Sequence, residues 1–342
     1  MPDGRLIILK GPTLQSLLSR RESQIIDVVK DAYEAHASGK SSLPHSTFLR
    51  FPDDEINRII ALPAYLGGDF GAAGIKWVSS FPGNVEIGID RASAVIILNS
   101  MLTGQPQAIL EGSIISAKRT AASAALAARS LHADREVESV GLIGCGLINF
   151  EIQRFLLSVF PSIRKLYLYD LKAERSAQFK QVCEKSFNQI SAEVITSLDT
   201  LLASSKLISI ATTAIKPYIT DISALSPGST VLHISLRDLA PEVILACDNV
   251  VDDADHVCRA QTSIHLAEQL TGKRDFIRCS IADVTSGAAP ARRDDKSVSV
   301  FSPFGLGVLD IAVSYLAYTT AIRSNRGTVI KSFLPGPWAE RI

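Results

Sequence analysis

Apolar residues recur at helical spacing through residues 14–37, where Leu17, Leu18, Ile25, Ile26, Val29, Ala32 and Tyr33 share one stripe. That period predicts an amphipathic helix. Residues 45–100 have a different rhythm. Short apolar runs at 58–63, 73–79 and 94–99 are broken by Gly67-Gly68, Pro82-Gly83 and Asn84. Such punctuation predicts strands joined by turns. The Ala-rich stretch 111–131 then predicts a long helix on propensity alone.

A second pattern begins at Val137. Apolar strands at 139–143, 165–169, 207–211 and 231–235 alternate with helical segments at 146–159 and 172–187. Alternation of this kind predicts right-handed βαβ units and a parallel sheet. A last amphipathic helix is predicted over 309–324. The expected architecture is therefore α/β: a Rossmann domain at 131–311 and a discontinuous α+β domain at 1–130 and 312–342.

Composition narrows the partners. Lys plus Arg number 35 and Asp plus Glu number 35. Zero net charge and the lack of any basic run give no electrostatic reason for binding nucleic acid or an anionic membrane. No apolar run reaches the roughly 18 residues of a membrane span. The start, MPDGRLIILKGP, lacks the pattern of a secretory signal. The five cysteines form no CxxC pair, which argues against a disulfide framework or a zinc site and for a reducing cytoplasm.

The clearest chemical motif is SVGLIGCGLINF, residues 139–150. Gly144 and Gly146 follow a predicted strand and open a predicted helix, with Leu147 and Ile148 in its first turn. Gly144 permits the tight turn. Gly146 lets the backbone approach a pyrophosphate at the helix N-terminus. The third position of the glycine pattern holds Asn149, a departure from Gly or Ala. Asp170 ends the next strand, 24 residues after Gly146, where a carboxylate accepts hydrogen bonds from ribose hydroxyls and repels a 2′-phosphate. NAD is thus expected over NADP, although Lys172 and Arg175 follow closely.

Other polar residues stand out against their surroundings. Lys76 interrupts the apolar strand AGIKWV, so it is either at an exposed face or held for a purpose. Arg119, among small residues in SAKRTAASAALAA, is able to clamp a carboxylate bidentately. Arg50 is a third basic candidate. Asp238, just past the strand at 231–235, is either a proton-transfer group or an N-cap before Pro241. His233 reads as a packed strand residue, and Cys145 as small-residue packing.

AGIKWV, ILEGSIISAKRTAASAALAA, VGLIGCG, the Asp after HISLR and FSPFGLGVLDIA together resemble the ornithine cyclodeaminase and mu-crystallin family, in order and over nearly the whole chain. Within it, NRIIALPAYLGG, DRASAVIILN, ISLRDLAPEV and VVDDADHVCR are most similar to the branch that makes L-2,3-diaminopropionate for siderophores and peptide antibiotics. The resemblance implies an NAD-dependent oxidoreductase. Its substrate would be a secondary amine joining glutamate to diaminopropionate, N-(2-amino-2-carboxyethyl)-L-glutamate. It further implies that Arg50, Lys76 and Arg119 bind substrate, Thr120 helps hold cofactor phosphate, and Asp238 is the acid/base. Segment 305–310, beginning at Gly305, would approach the nicotinamide, and Arg91 would take an extra carboxylate. A homodimer through shared β-structure is also implied. Rival expectations are an ornithine cyclodeaminase, a ketimine reductase or amino-acid dehydrogenase, and a crystallin-like binding protein without turnover.

Overall fold

The structure, a computed structural model, describes residues 5–133 and 136–341. Contacts within the chain divide it into two units at Arg119/Thr120 and Gly305/Leu306. These limits precede the expected ones at 130 and 311, for local reasons. Leu131 accepts a hydrogen bond from Arg292 (2.8 Å) and His132 pairs with Thr230 (3.0 Å), which ties the end of the long helix to the second unit. Asp310, by contrast, is bonded to Lys76 and Arg119 of the first.

In the first unit, β1 (Leu6–Leu9), β2 (Ser41–Ser42), β3 (Thr47–Phe51), β4 (Asp54–Leu66), β5 (Ala72–Ser80), β6 (Ala92–Asn99) and β7 (Pro106–Glu111) form one sheet with the chain's last strand, β16 (Thr328–Ile330). The order is β16-β1-β7-β6-β5-β4-β2, with β3 also paired to β4. Strands β3 through β7 pair antiparallel, so each cross-strand row has a definite face. Along β5, Ala72, Lys76 and Ser80 are buried, whereas Trp77 on the opposite face is 41% exposed. The Gly307–Arg323 helix packs on β4, β5 and the Glu22–Ala37 helix. The helix predicted over 14–37 is in fact two, Gly11–Leu18 and Glu22–Ala37. Arg20 lies between them at φ +57°, a left-handed conformation that no continuous α-helix contains.

The second unit holds β8 (Ser139–Ile143), β9 (Lys165–Tyr169), β10 (Ser191–Val194), β11 (Leu207–Ile210), β12 (Thr230–His233), β13 (Asp248–Val251), β14 (Ile277–Ser280) and β15 (Ser299–Ser302). Their order is β10-β9-β8-β11-β12-β15-β13-β14, and every pair is parallel. This is a doubly wound Rossmann sheet that reverses direction between β8 and β11, the place where such sheets bind ligands. Its strands are covered on both faces and read as near-continuous apolar runs. Ile143, Ile208, Ile210, Val231, Val251 and Val300 meet in its core. No helix among the described residues is long and apolar enough to cross a membrane.

Candidate active site

At the end of β8 the chain turns through Gly144, at φ +93°, and enters the Leu147–Val159 helix at Gly146. A Cβ on Gly144 would lie 2.4 Å from the carbonyl oxygen of Ala211, next to β11, so no side chain fits there. Gly146, the helix N-cap, has no side-chain cap, which leaves the first-turn N–H groups free for an anion. Leu147 is exposed and Ile148 half-buried in that first turn. Asn149 occupies the third glycine position without cost. Its fully buried amide donates to the carbonyls of Ile143 (2.9 Å) and Gly144 (2.7 Å), and its oxygen accepts from Ser209 (2.8 Å). Every polar atom of that side chain is thereby paired, and the turn is fixed by hydrogen bonds rather than by close backbone packing.

Asp170 follows β9 and accepts from the backbone N–H of Cys145 (2.8 Å) and of Lys172 (3.0 Å). A carboxylate has about four lone-pair sites, so capacity remains for two ribose hydroxyls. The free helix terminus, the side-chain-free cradle and this carboxylate fit a dinucleotide. Cys145 itself is buried, and burial pushes its thiol up to about 12, consistent with packing rather than nucleophilic chemistry. Gly144→Ala is expected to lower stability by about 1–3 kcal/mol and to weaken NAD+ binding about tenfold. Thermal unfolding and calorimetry check both, and wild-type affinity would detach this turn from the cofactor.

Asp238 is fully buried in the second unit. It does not cap the Pro241–Ala246 helix, whose N-cap is Ala240. Its Oδ1 accepts from the Thr212 hydroxyl, which in turn accepts from Ala214 N–H at 3.1 Å. Its backbone N–H points at Nε2 of His233 (3.3 Å), while Nδ1 of that ring lies 3.0 Å from Ser302 Oγ. Oδ2 of Asp238, 3.4 Å from Nε2, has no hydrogen-bond partner among the described residues. Burial pushes the carboxyl up, but His233 beside it, with the hydroxyls of Ser235 and Thr212, holds it below the usual carboxylate range. The result is an ionised carboxylate, and the Tyr218 phenol is a further neighbour, pushed up by burial and by the Asp238 charge. His233 is packed as the sequence suggests, but the packing is against Asp238.

The first unit gathers a second polar cluster. Lys76 Nζ donates to Asp310 Oδ2 (2.7 Å) and to Ser116 Oγ (3.3 Å), and Arg119 Nε donates to Asp310 Oδ1 (3.1 Å). Lys76, Asp310 and Arg119 are 3%, 0% and 11% exposed. Glu111 sets this up: its carboxylate accepts from Ser113 and Ile114 N–H and starts the Gly112–Leu131 helix that carries Ser116 and Arg119 three residues apart, on one face. Asp310 sits in the first turn of the Gly307–Arg323 helix, where the dipole favours an anion. Sequence reasoning named the 305–310 segment but missed this role. The signal was a lone carboxylate in the apolar run GVLDIAV.

The remaining candidates are more dispersed. Arg50, on β3, is exposed and lies over the Phe48 ring at 5.6 Å. Arg91 donates to Ser80 Oγ (2.8 Å). Thr120 is half-buried on the Gly112–Leu131 helix. Gly305, at φ +94°, donates its N–H to Asp252 (2.8 Å), which also accepts from Phe304 N–H (2.9 Å). Asp252 was not foreseen. It is a buried carboxylate that anchors the turn after β15, and burial pushes its pKa up.

The ornithine cyclodeaminase/mu-crystallin family pattern matches residues 15–325. The chain belongs to that family. It is 30% identical over 314 residues to the N-((2S)-2-amino-2-carboxyethyl)-L-glutamate dehydrogenase of Staphylococcus aureus, covering 90% of this chain and 93% of that protein. Among solved structures, it matches Thermococcus litoralis Δ1-pyrroline-2-carboxylate reductase in complex with NADH and L-proline. The TM-score is 0.88 at 25% identity, covering 94% of this chain and 99% of that one. An archaeal alanine dehydrogenase dimer with bound NAD matches with a TM-score of 0.84 at 28% identity, covering 96% of this chain and 100% of that one. Each of these likenesses extends over 90% or more of this chain.

Proposed function

We propose that the chain oxidises N-(2-amino-2-carboxyethyl)-L-glutamate at the glutamate Cα–N bond and, with water, releases 2-oxoglutarate and L-2,3-diaminopropionate for siderophore or peptide natural-product synthesis. The chain is an NAD-dependent oxidoreductase acting on CH–NH groups of amino acids, in line with its dehydrogenase and reductase relatives. NAD+, when bound, supplies the hydride acceptor. By likeness to the dimeric archaeal relative, the chain works as a homodimer, and we place it in the cytoplasm.

The observation that carries the reading is the Lys76–Asp310–Arg119 cluster. Two cations share one carboxylate in a nearly dry setting, leaving one net positive charge. A buried net charge is costly unless an anion completes it. A substrate carboxylate does so, and the fixed cations then orient the adjacent Cα. Arg50 and Arg91 add positive charge for a substrate with three carboxylates, and Arg suits such groups because its fork binds them bidentately. Asp238, an ionised carboxylate, takes the proton from the amine or activates the water that hydrolyses the imine. Gly144, Gly146, Leu147, Ile148, Asp170, Thr120 and Gly305 hold the cofactor.

Lys76 gives this reading a pH signature. Burial pushes its ammonium down to about 8, although Asp310 pulls it back up. A lysine with a depressed pKa loses its charge as pH rises through that value. KM for the substrate is therefore expected to rise above about pH 8. In Lys76→Arg, which stays charged, that limb should vanish. A profile identical in the two enzymes would remove Lys76 from carboxylate binding.

The direct test mixes enzyme, NAD+ and the glutamate–diaminopropionate adduct, following NADH absorbance and 2-oxoglutarate by mass spectrometry. Both products are expected in equal amounts, and absence of NADH sinks the assignment. A ketimine reductase or amino-acid dehydrogenase is the second reading, favoured by the likeness to the Thermococcus and archaeal enzymes. NADH consumption with pyrroline-2-carboxylate, or with pyruvate and ammonia, would support it. Ammonia release from ornithine without net NADH would indicate a cyclodeaminase.

A further inference from the structure

Strand register places three arginines around one row of the first unit's sheet. Arg50 on β3 is directly opposite Arg58 on β4, and Arg58 is directly opposite Ser80 on β5. Arg91, just before β6, reaches the same row by donating to Ser80 Oγ at 2.8 Å. Like charges directly opposite one another destabilise a sheet. Among the described residues no carboxylate pairs with any of the three. Among the described residues the Arg58 guanidinium makes one long hydrogen bond, to the carbonyl of Ile56 at 3.5 Å. Arg58 and Arg91 are partly buried, and their charges are felt mutually: after burial itself, Arg50 lowers the pKa of Arg58, and Arg58 lowers that of Arg91.

The row also has a definite relation to Lys76. Ser80 is four residues from Lys76 on β5, so both side chains leave the same face, and both are buried. The two rows are about 13 Å apart along the strand, before the long arginine and lysine stems shorten the gap. An uncompensated tri-arginine row on the same face as a cation pair is suited to a ligand with carboxylates at both ends.

We propose that Arg58, with Arg50 and Arg91, forms a second carboxylate subsite. It selects substrates whose far end carries an acid group, and Arg58 is its specificity-determining member. This deepens the reading above and rests on it for the identity of the substrate, but the subsite itself is defined by a simple dicarboxylate. Glutarate, butyrate and sulfate therefore serve as probes, titrated calorimetrically into the NAD+-loaded enzyme. Glutarate should bind at least about tenfold more tightly than butyrate or sulfate, a preference worth about 1.4 kcal/mol. Arg58→Gln should reduce glutarate affinity to the level of butyrate, and Arg91→Gln should do the same. Arg58→Lys should restore part of it.

A stability readout separates binding from scaffolding. Because Arg58→Gln removes a repulsion, its Tm without ligand should equal or exceed that of the wild type, and glutarate should raise it less. A lowered Tm with unchanged glutarate affinity would show a merely structural arginine and overturn the subsite, as would sulfate binding as tightly as glutarate. Arg58-dependent glutarate binding in an enzyme that leaves the glutamate–diaminopropionate adduct untouched supports the subsite and removes that substrate. Turnover of the adduct with Arg58-independent glutarate affinity does the opposite.

Discussion

Asp238→Asn is expected to lower kcat by about 10²–10⁴-fold, the usual contribution of a positioned acid–base group, while NAD+ affinity stays at the wild-type level. Asparagine keeps the size of the side chain and an oxygen able to accept the Thr212 hydroxyl, so the buried packing survives. What it lacks is the negative charge and the basicity of the native carboxylate. The substitution thus isolates proton transfer from architecture. His233 provides a contrast. Its ring holds the Asp238 backbone N–H and reaches Ser302, so removing it disturbs position as well as charge. Steady-state kinetics together with calorimetric NAD+ titration decide the matter: unchanged turnover in Asp238→Asn would end its role as acid or base, and lost NAD+ binding would make it a structural residue of the cofactor unit.

The parts of this molecule that were legible in the sequence are those specified within a few residues. Strand 139–143, the glycine turn and the helix after it carry their own period and punctuation, and the structure places them within a residue of expectation. The break at Arg20 was missed because a left-handed residue in a polar Ser-Arg-Arg stretch leaves the apolar stripe on both sides intact. The strands Asp248–Val251, Ile277–Ser280 and Ser299–Ser302 are each four residues long, too short for a period to be distinguished from a loop. Asn149 reads as a defect in the fingerprint until its three hydrogen bonds are seen, and two of those go to carbonyls whose direction only the folded turn defines. Lys76 and Arg119 were visible as charges out of place. Their common partner was not, since Asp310 lies 234 residues from one and 191 from the other.

That partner carries the largest stability effect expected here. Asp310→Asn should destabilise the fold by about 3–5 kcal/mol, because removing one member of a buried ionic group leaves uncompensated charge behind. Two cations would remain, 3% and 11% exposed, with the Ser116 hydroxyl as the one other partner of Lys76 among the described residues. Part of the strain is relieved if Lys76 sheds its proton. Its pKa, already pushed down by burial, would fall further once the Asp310 attraction is gone. The pH above which substrate binding weakens should therefore move below about 8 in Asp310→Asn. Replacing Lys76 as well, in Asp310→Asn/Lys76→Met, should recover much of the stability while abolishing substrate binding, since an apolar side chain of similar length is tolerated where a lone charge is not. Urea unfolding of the two variants tests this directly. Wild-type stability in Asp310→Asn would mean that water already reaches these cations, leaving no buried charge for a substrate anion to complete.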